Sequence, residues 1–203
     1  DDRVVANDEM RLKYRFLDLR RPSMVQKLAF RNKVMMAARA YFETNGFLDV
    51  ETPLLVRATP EGARDYVVPS RVHPGKFYAL PQSPQLYKQI LMIAGIDRYY
   101  QFARCLRDED LRADRQPEHT QMDLEMSFVS QEDIMAFVEG LYKHLMKEIM
   151  GITIKEKFPS FTYAESMDKY GTDKPDIRFG LELHNITAIA KESEFSIFKQ
   201  AIS

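Results

Sequence analysis

Residues 98–128 read RYYQFARCLRDEDLRADRQPEHTQMDLEMSF, two stretches of alternating side chains on either side of a charged loop. Successive side chains of a strand point to opposite faces. In the first stretch Tyr100, Phe102 and Leu106 share one face, while Gln101, Ala103, Cys105, Arg107 and Glu109 share the other. The second stretch divides more sharply. Thr120, Met122, Leu124, Met126 and Phe128 form an apolar face, and His119, Gln121, Asp123, Glu125 and Ser127 a polar one. Two strands joined by a short loop pair antiparallel, which lays both polar sides on one surface. A sheet with one face in water shows the same alternation, but solvated strands blunt themselves with lysine. This face carries arginine, glutamine and carboxylates and no lysine, a set that suits a fixed binding surface. The loop DEDLRADRQPE carries both signs of charge and suits a ligand-responsive loop better than a tight turn.

Upstream, SPQLYKQILMIAGI (83–96) predicts a helix with Ser83 as N-cap, Pro84 in the first turn, and Leu86, Ile90 and Ile93 facing inward. Gln85 and Lys88 lie three apart and project from one face of its first turns. A helix N-terminus carries partial positive charge, so a lysine beside it makes a site for a small carboxylate. A solvated lysine is the plainer reading, and Lys88 gains weight only from the polar hairpin it joins. Before this helix, residues 56–76 read as a long loop centred on TPEGARDY, and loops of that length in compact domains are functional or mobile. KFYALPQ follows as a short strand.

Further out, the stretch after Pro22 predicts a long helix with Met24, Leu28, Met35 and Phe42 on one face, closing at Gly46. That stripe fits core packing, and its length leaves a dimer seam open. In GFLDVETPLL, Leu48, Val50 and Thr52 alternate as in a strand that Pro53 ends. On the far side, Ser130 with Asp133 opens an amphipathic helix. Ile134, Phe137, Leu141, Leu145 and Ile149 line its buried face, and Gly151 ends it. Thr162 with Glu165 opens a shorter one that stops at Gly171.

The chain has 203 residues, 45% of them hydrophobic and 29% charged, and a formal net charge of -1. That is ordinary for a globular domain and gives no argument for nucleic acid from bulk charge, although a local basic patch can still bind phosphate. The single cysteine, Cys105, excludes an intrachain disulfide, and no Cys/His cluster has zinc spacing. No apolar run approaches the roughly 20 residues of a membrane span. These features fit a cytoplasmic protein. The chain opens on Asp1 rather than Met, as expected of a piece of a longer protein.

Several of these segments resemble the class II aminoacyl-tRNA synthetases, and within them the bacterial aspartate-specific family. GFLDVETPLL resembles motif 1, the helix-plus-strand that builds a homodimer interface. CLRDEDLRADRQPEHTQMDLE resembles motif 2, the strand–loop–strand that holds ATP. RLKYRFLDLRRP, TPEGARDY and ALPQSPQLYKQ are similar to sequences of the same family, and the likeness runs through at least residues 10–177. It implies an α+β fold, an antiparallel six-stranded sheet flanked by helices. It also implies a reaction, in which aspartate is activated with ATP to aspartyl-adenylate and transferred to the 3′ end of tRNA(Asp).

Carried over by position, the resemblance makes Arg107 the catalytic arginine between the α-phosphate and the substrate carboxylate. Asp108, Glu109, Gln116 and His119 would join it in holding ATP. Lys88 would pair with the substrate's side-chain carboxylate, with Ser83, Gln85 and Asp123 positioning aspartate and its ammonium group, and Glu61 would belong to a mobile TPEGA loop that closes over the amino acid. Lys88 also separates relatives, because an asparagine site gains nothing from burying an unpaired ammonium. Two departures stand out. His119 occupies the place of the usual phenylalanine that stacks on adenine. A third, glycine-rich motif and the acidic ligands for Mg2+ are not in this stretch, so no metal site is expected within it. The layout implied is a lead-in over 1–20, the catalytic core over 21–177, and the start of an inserted domain over 178–203, a fragment inactive alone. An asparagine-activating relative, separable by pyrophosphate exchange with each amino acid, and a non-catalytic paralogue, which need not keep Arg107 or Lys88, are the competing readings.

Overall fold

Helix formation begins earlier than the charged lead-in suggests. The computed structural model describes residues 6–110 and 112–202, with side chains to Gln200; residues 1–5 of the expected lead-in lie outside the described residues. Helix α1 (Asp8–Lys13) is capped by Asn7, whose side chain accepts from the Met10 N–H, and α2 (Arg15–Asp18) follows it. Arg11 (3.1 Å), Arg21 (3.5 Å) and Arg15 converge on Asp18, which is buried. Burying a carboxylate requires such pairing, and the interrupted charge pattern of residues 8–21 is the sequence trace of that cluster.

Helix α3 (Pro22–Thr44) starts on a proline and contains no other helix breaker. Its end is specified locally. Gly46 takes a left-handed conformation (φ 75°), its N–H bonds to Glu43 O, and the Phe47 N–H bonds back to Phe42 O at 3.0 Å. This Schellman arrangement brings its usual hydrophobic contact, Phe47 edge-on to Phe42 at 5.2 Å. Of the predicted stripe, Met24 and Phe42 are buried and Met35 is half-buried, but Leu28 is 56% exposed.

The reversed chain enters β1 (Leu48–Asp49), shorter than the alternation predicts, which runs parallel to β4 (Arg98–Leu106). β5 (Glu118–Met126) pairs antiparallel with β4 in the register Gln101↔Asp123, so the sheet order is β1-β4-β5. The expected antiparallel hairpin is present. Among the described residues this sheet has three strands, and β1 joins it in parallel through a connection that includes a helix. The chain is nonetheless α+β. The long loop also holds more order than expected, since β2 (Val67–Pro69) pairs antiparallel with β3 (Phe77–Ala79) and Val56 bridges to Ala79.

Helix α4 (Gln85–Ile93) precedes β4, and α5 (Gln131–Met150) follows β5. The Ser130–Asp133 capping box and left-handed Gly151 (φ 69°) bound α5 where the sequence places them. Phe42, Phe47, Tyr100, Phe137 and Leu141 form the core, with Tyr100 stacked on Phe42 at 4.3 Å and Phe47 on Phe137 at 4.6 Å. Gly140 sits inside α5 because a Cβ there would lie 2.2 Å from the Tyr41 hydroxyl. Phe128, predicted on the apolar face, lies beyond the end of β5 in a left-handed conformation (φ 56°) and is 99% exposed.

The chain divides into two compact units, 1–155 and 156–203. The second contains α6 (Tyr163–Tyr170), with the Thr162–Glu165 capping box and left-handed Gly171 (φ 67°), then α7 (Thr187–Glu192) and α8 (Ser196–Ile202). Phe42 is fully buried and joins α3 to the sheet and to α5 through three ring contacts. Phe42→Ala should therefore cost about 3–5 kcal/mol in urea unfolding; a loss below about 1 kcal/mol would remove this ring from the centre of the core.

Candidate active site

The odd-numbered side chains of β4 and β5 form the polar face that the alternation predicts, and it is not a solvated face. Tyr99, Gln101, Ala103, Cys105 and Asp123 are buried. A buried polar face must satisfy itself, and Gln101 shows how. Its Oε1 accepts from the Tyr99 hydroxyl (2.8 Å) and from the Thr52 hydroxyl (3.0 Å). Gln121 donates to Asp123 Oδ1 at 3.0 Å. Burial, followed by the charges of Asp123 and Asp49, pushes the Tyr99 phenol well above its ordinary value, so it remains a donor. Burial also raises the Cys105 thiol, with Arg107 opposing.

Helix α4 lies against this face, and its orientation is not the one predicted from apolar spacing. Leu86, Ile90 and Ile93 are exposed, at 49%, 49% and 86%. The inward side carries Lys88, buried to 9%, with Tyr87, Leu91 and Met92 partly covered. The reason is electrostatic. Lys88 Nζ donates to Asp123 Oδ1 at 3.0 Å and meets Glu125 Oε2 at 3.1 Å. Burial alone would lower the pKa of Lys88; the hydrogen bonds and charges of Asp123 and Glu125 outweigh it and raise it. The two carboxylates take two of the three ammonium donors and leave one for a ligand. Asp123 Oδ2 is buried with no hydrogen-bond partner.

The start of α4 is set one residue later than predicted. Pro84 occupies the cap position without a side-chain bond. Ser83 Oγ still accepts from the Gln85 N–H (3.3 Å), and it donates to Glu61 Oε2 at 2.7 Å. The structure thus brings Ser83 against Glu61 and Lys88 against Asp123, with Gln85 exposed at the helix start.

Beyond β4, the Arg107 N–H bonds to Pro117 O at 2.8 Å and closes the base of the hairpin loop. Arg107, Glu109, Gln116 and His119 line one cavity of about 390 Å³, together with Asp110, Asp114, Arg115 and Pro117. Asp108 lines an adjoining cavity of about 530 Å³ with Gly62, Ala63, Arg64, Glu109, Asp110, Arg112 and Arg115. Neither is lined by Lys88 or Asp123, so the expected aspartate and ATP residues occupy two neighbouring regions of one unit. Arg107 Nε joins them, donating to the backbone oxygen of Gln82 at 3.4 Å. Tyr99 and Gln82 were missed by pattern reading. Among the described residues no group of three or more His, Cys, Asp or Glu side chains is arranged to hold a metal ion.

A charged hairpin thus lies over a buried lysine beside a helix start. The family model for class II tRNA synthetases (D, K and N) matches residues 7–198. The chain belongs to that family. Among curated relatives, the aspartate–tRNA ligase of Limosilactobacillus reuteri (strain DSM 20016) is 58% identical over 202 residues, covering 100% of this chain and 34% of the relative. The aspartate–tRNA(Asp/Asn) ligase of Caldanaerobacter subterraneus subsp. tengcongensis is 58% identical with the same coverage. The aspartate–tRNA ligase of Ruminiclostridium cellulolyticum is 57% identical over 198 residues, 98% of this chain and 33% of the relative. The chain spans about a third of the length of these curated relatives.

Removing Lys88 would leave the buried Asp123 carboxylate without a counter-charge, so Lys88→Met should destabilise the fold by about 3–5 kcal/mol. The folded pKa of Lys88 is raised, so its contribution is complete below the unfolded lysine value of about 10.4 and is lost as pH rises through the folded value. The difference between wild type and variant should therefore be flat from about pH 6 to 9 and shrink in more alkaline solution. Urea titrations across that range check it; a difference that stays constant through the alkaline limb would contradict the ion pair.

Proposed function

We propose that the protein carrying this chain is an aspartate–tRNA ligase. It activates L-aspartate with ATP and transfers the aspartyl group to the 3′ end of tRNA(Asp). The observation that carries this reading is the buried Lys88 ammonium, held by Asp123 and Glu125 with one donor left for an incoming side-chain carboxylate. Family membership and the names of the relatives support it.

In the proposed reaction a carboxylate oxygen of aspartate attacks the α-phosphorus of ATP. A new P–O bond forms, the bond to the β-phosphate oxygen breaks, and pyrophosphate leaves with its electron pair. The nucleophile is already ionised, so no general base is needed and positioning carries the step. Arg107 lines the 390 Å³ cavity, and its Nε donates to the backbone oxygen of Gln82. There it would bridge the α-phosphate and the substrate's α-carboxylate and stabilise charge at the phosphorus as pyrophosphate leaves. Asp108, Glu109, Gln116 and His119 would hold ATP, with the imidazole of His119 as the stacking ring. Glu61, Ser83 and Gln85 would position aspartate at the start of α4. Asp123 would receive its ammonium group.

Mg2+ would accompany ATP, with its ligands outside this chain. The 21–177 catalytic core and the inserted domain from 178 belong to the same proposal. Homodimerisation through α3 and β1 is supported by the exposed apolar side chains of Val25, Leu28, Phe30, Met36 and Leu48, since large exposed apolar surface marks interfaces. Among the described residues no helix is long and apolar enough to cross a membrane; a cytoplasmic location is part of the proposal.

ATP–pyrophosphate exchange tests it. Aspartate should support exchange, with asparagine weaker on the order of 10⁴-fold, because a neutral amide leaves the buried ammonium unpaired. Failure of aspartate would overturn the reading. Arg107→Ala should lower exchange by at least about 10²–10³-fold with an unchanged sedimentation coefficient; near-normal exchange would remove Arg107 from the reaction.

A further inference from the structure

The side chain of Gln82 is 2% exposed, and nothing in the proposed reaction uses it. Its environment is specific. Nε2 donates to Ala63 O at 2.9 Å and to Asp65 Oδ1, and Oε1 accepts from the Ala63 N–H at 3.1 Å. Donor and acceptor on one residue's backbone fix which way the amide points. A side chain here does what a strand residue would do, giving and taking a bond with one residue of the facing segment.

The backbone shows why a side chain is needed. The β2–β3 ladder continues past Val67↔Ala79 to the Leu80 N–H, which bonds to Tyr66 O at 2.8 Å. The next residue, Pro81, has no N–H to give, and its carbonyl is turned to β4, where it accepts from the Leu106 N–H at 2.9 Å. The chain therefore leaves the ladder at Pro81 to pack on the hairpin, and the Gln82 amide continues the ladder to Ala63. On either side of this clamp the same loop is pinned twice more. Ser83 Oγ donates to Glu61 Oε2, and the Asp108 N–H bonds to Arg64 O at 3.1 Å.

We infer that Gln82 is a positioning residue for the amino-acid pocket, its buried side-chain amide holding loop 61–65 so that Glu61 stands at the start of α4. This rests on the aspartate-activating reading. Gln82 is assigned no contact with either substrate, and its link to Arg107 runs through its backbone oxygen, which substitution leaves in place. The Asp108 N–H bond to Arg64 O does not involve the Gln82 side chain, so loss of the amide acts chiefly on aspartate.

The test uses the protein that carries this chain. Gln82→Glu is nearly isosteric but sets a carboxylate against Asp65 and Ala63 O. In pyrophosphate exchange it should raise KM for aspartate about tenfold, with kcat and KM for ATP within about twofold. Adding Asp65→Asn restores one donor–acceptor pair with reversed polarity and should recover part of that loss. Should Gln82→Glu fold poorly, Asp65→Ala, which removes a single bond, should give the same pattern at about threefold. Limited trypsin digestion supplies a readout independent of the substrate, since cleavage after exposed Arg64 should quicken in Gln82→Glu, which leaves both residues of the cleaved bond unchanged. An unchanged KM for aspartate, equal losses in kcat and both KM values, or a double variant no better than Gln82→Glu would overturn the inference. If wild type does not exchange with aspartate, the functional reading fails, and the rate of cleavage after Arg64 alone decides whether Gln82 holds the loop.

Discussion

An ammonium buried beneath a β-hairpin is the constraint on which the rest of this structure depends. Taking a lysine out of water costs several kcal/mol unless carboxylates are placed to receive it, and Lys88 has two, from alternate residues of one strand. That pairing dictates the face α4 presents to the sheet. Asp123 and Glu125 must point the same way, which a period of two supplies, and a slip of one residue would turn both away. The exposed row of Leu86, Ile90 and Ile93 is the other side of the same choice.

The frame that holds the hairpin in register is aromatic. The α3 cap throws the chain back through Phe47, and Phe42 stacks on Tyr100 of β4. With Tyr100 fixed on the core side, Tyr99 and Gln101 are fixed on the opposite side, where the polar network begins. Packing on one face of the sheet thereby orders chemistry on the other. The loops that would carry substrate contacts are tied to this frame by backbone bonds at Pro81, Arg107 and Asp108, so the two cavities lie on pinned chain.

Much of this was legible in the residues. The hairpin, the capped helix α5 and its glycine stop follow from alternation and from local capping chemistry, which are short-range and strong. That the polar face is not a solvated one was legible from what it lacked, lysine, and its Gln101 and Asp123 are buried. The inward side of α4 was not legible, because apolar spacing assumes an apolar partner and this helix packs on a polar one. The lead-in helices were hidden for a similar reason: the arginines that meet at Asp18 read as solvated charge. Gln82 and Tyr99 carry no periodic signal, and their partners at Ala63 and Gln101 emerge only from the tertiary fold. The parallel entry of β1 likewise depends on a crossover that two paired residues cannot announce.

The central claim is that Lys88, poised by Asp123 and Glu125, chooses an acidic side chain. The direct measurement is the ratio of kcat/KM for aspartate to that for asparagine in pyrophosphate exchange, wild type against Lys88→Met. Both substrates are assayed on one sample, so any loss of folded protein cancels. The account predicts a ratio on the order of 10⁴ in wild type, collapsing to within about tenfold in the variant because the site no longer holds a charge to be paired. A ratio that survives the substitution would show that selectivity resides elsewhere and would contradict the account.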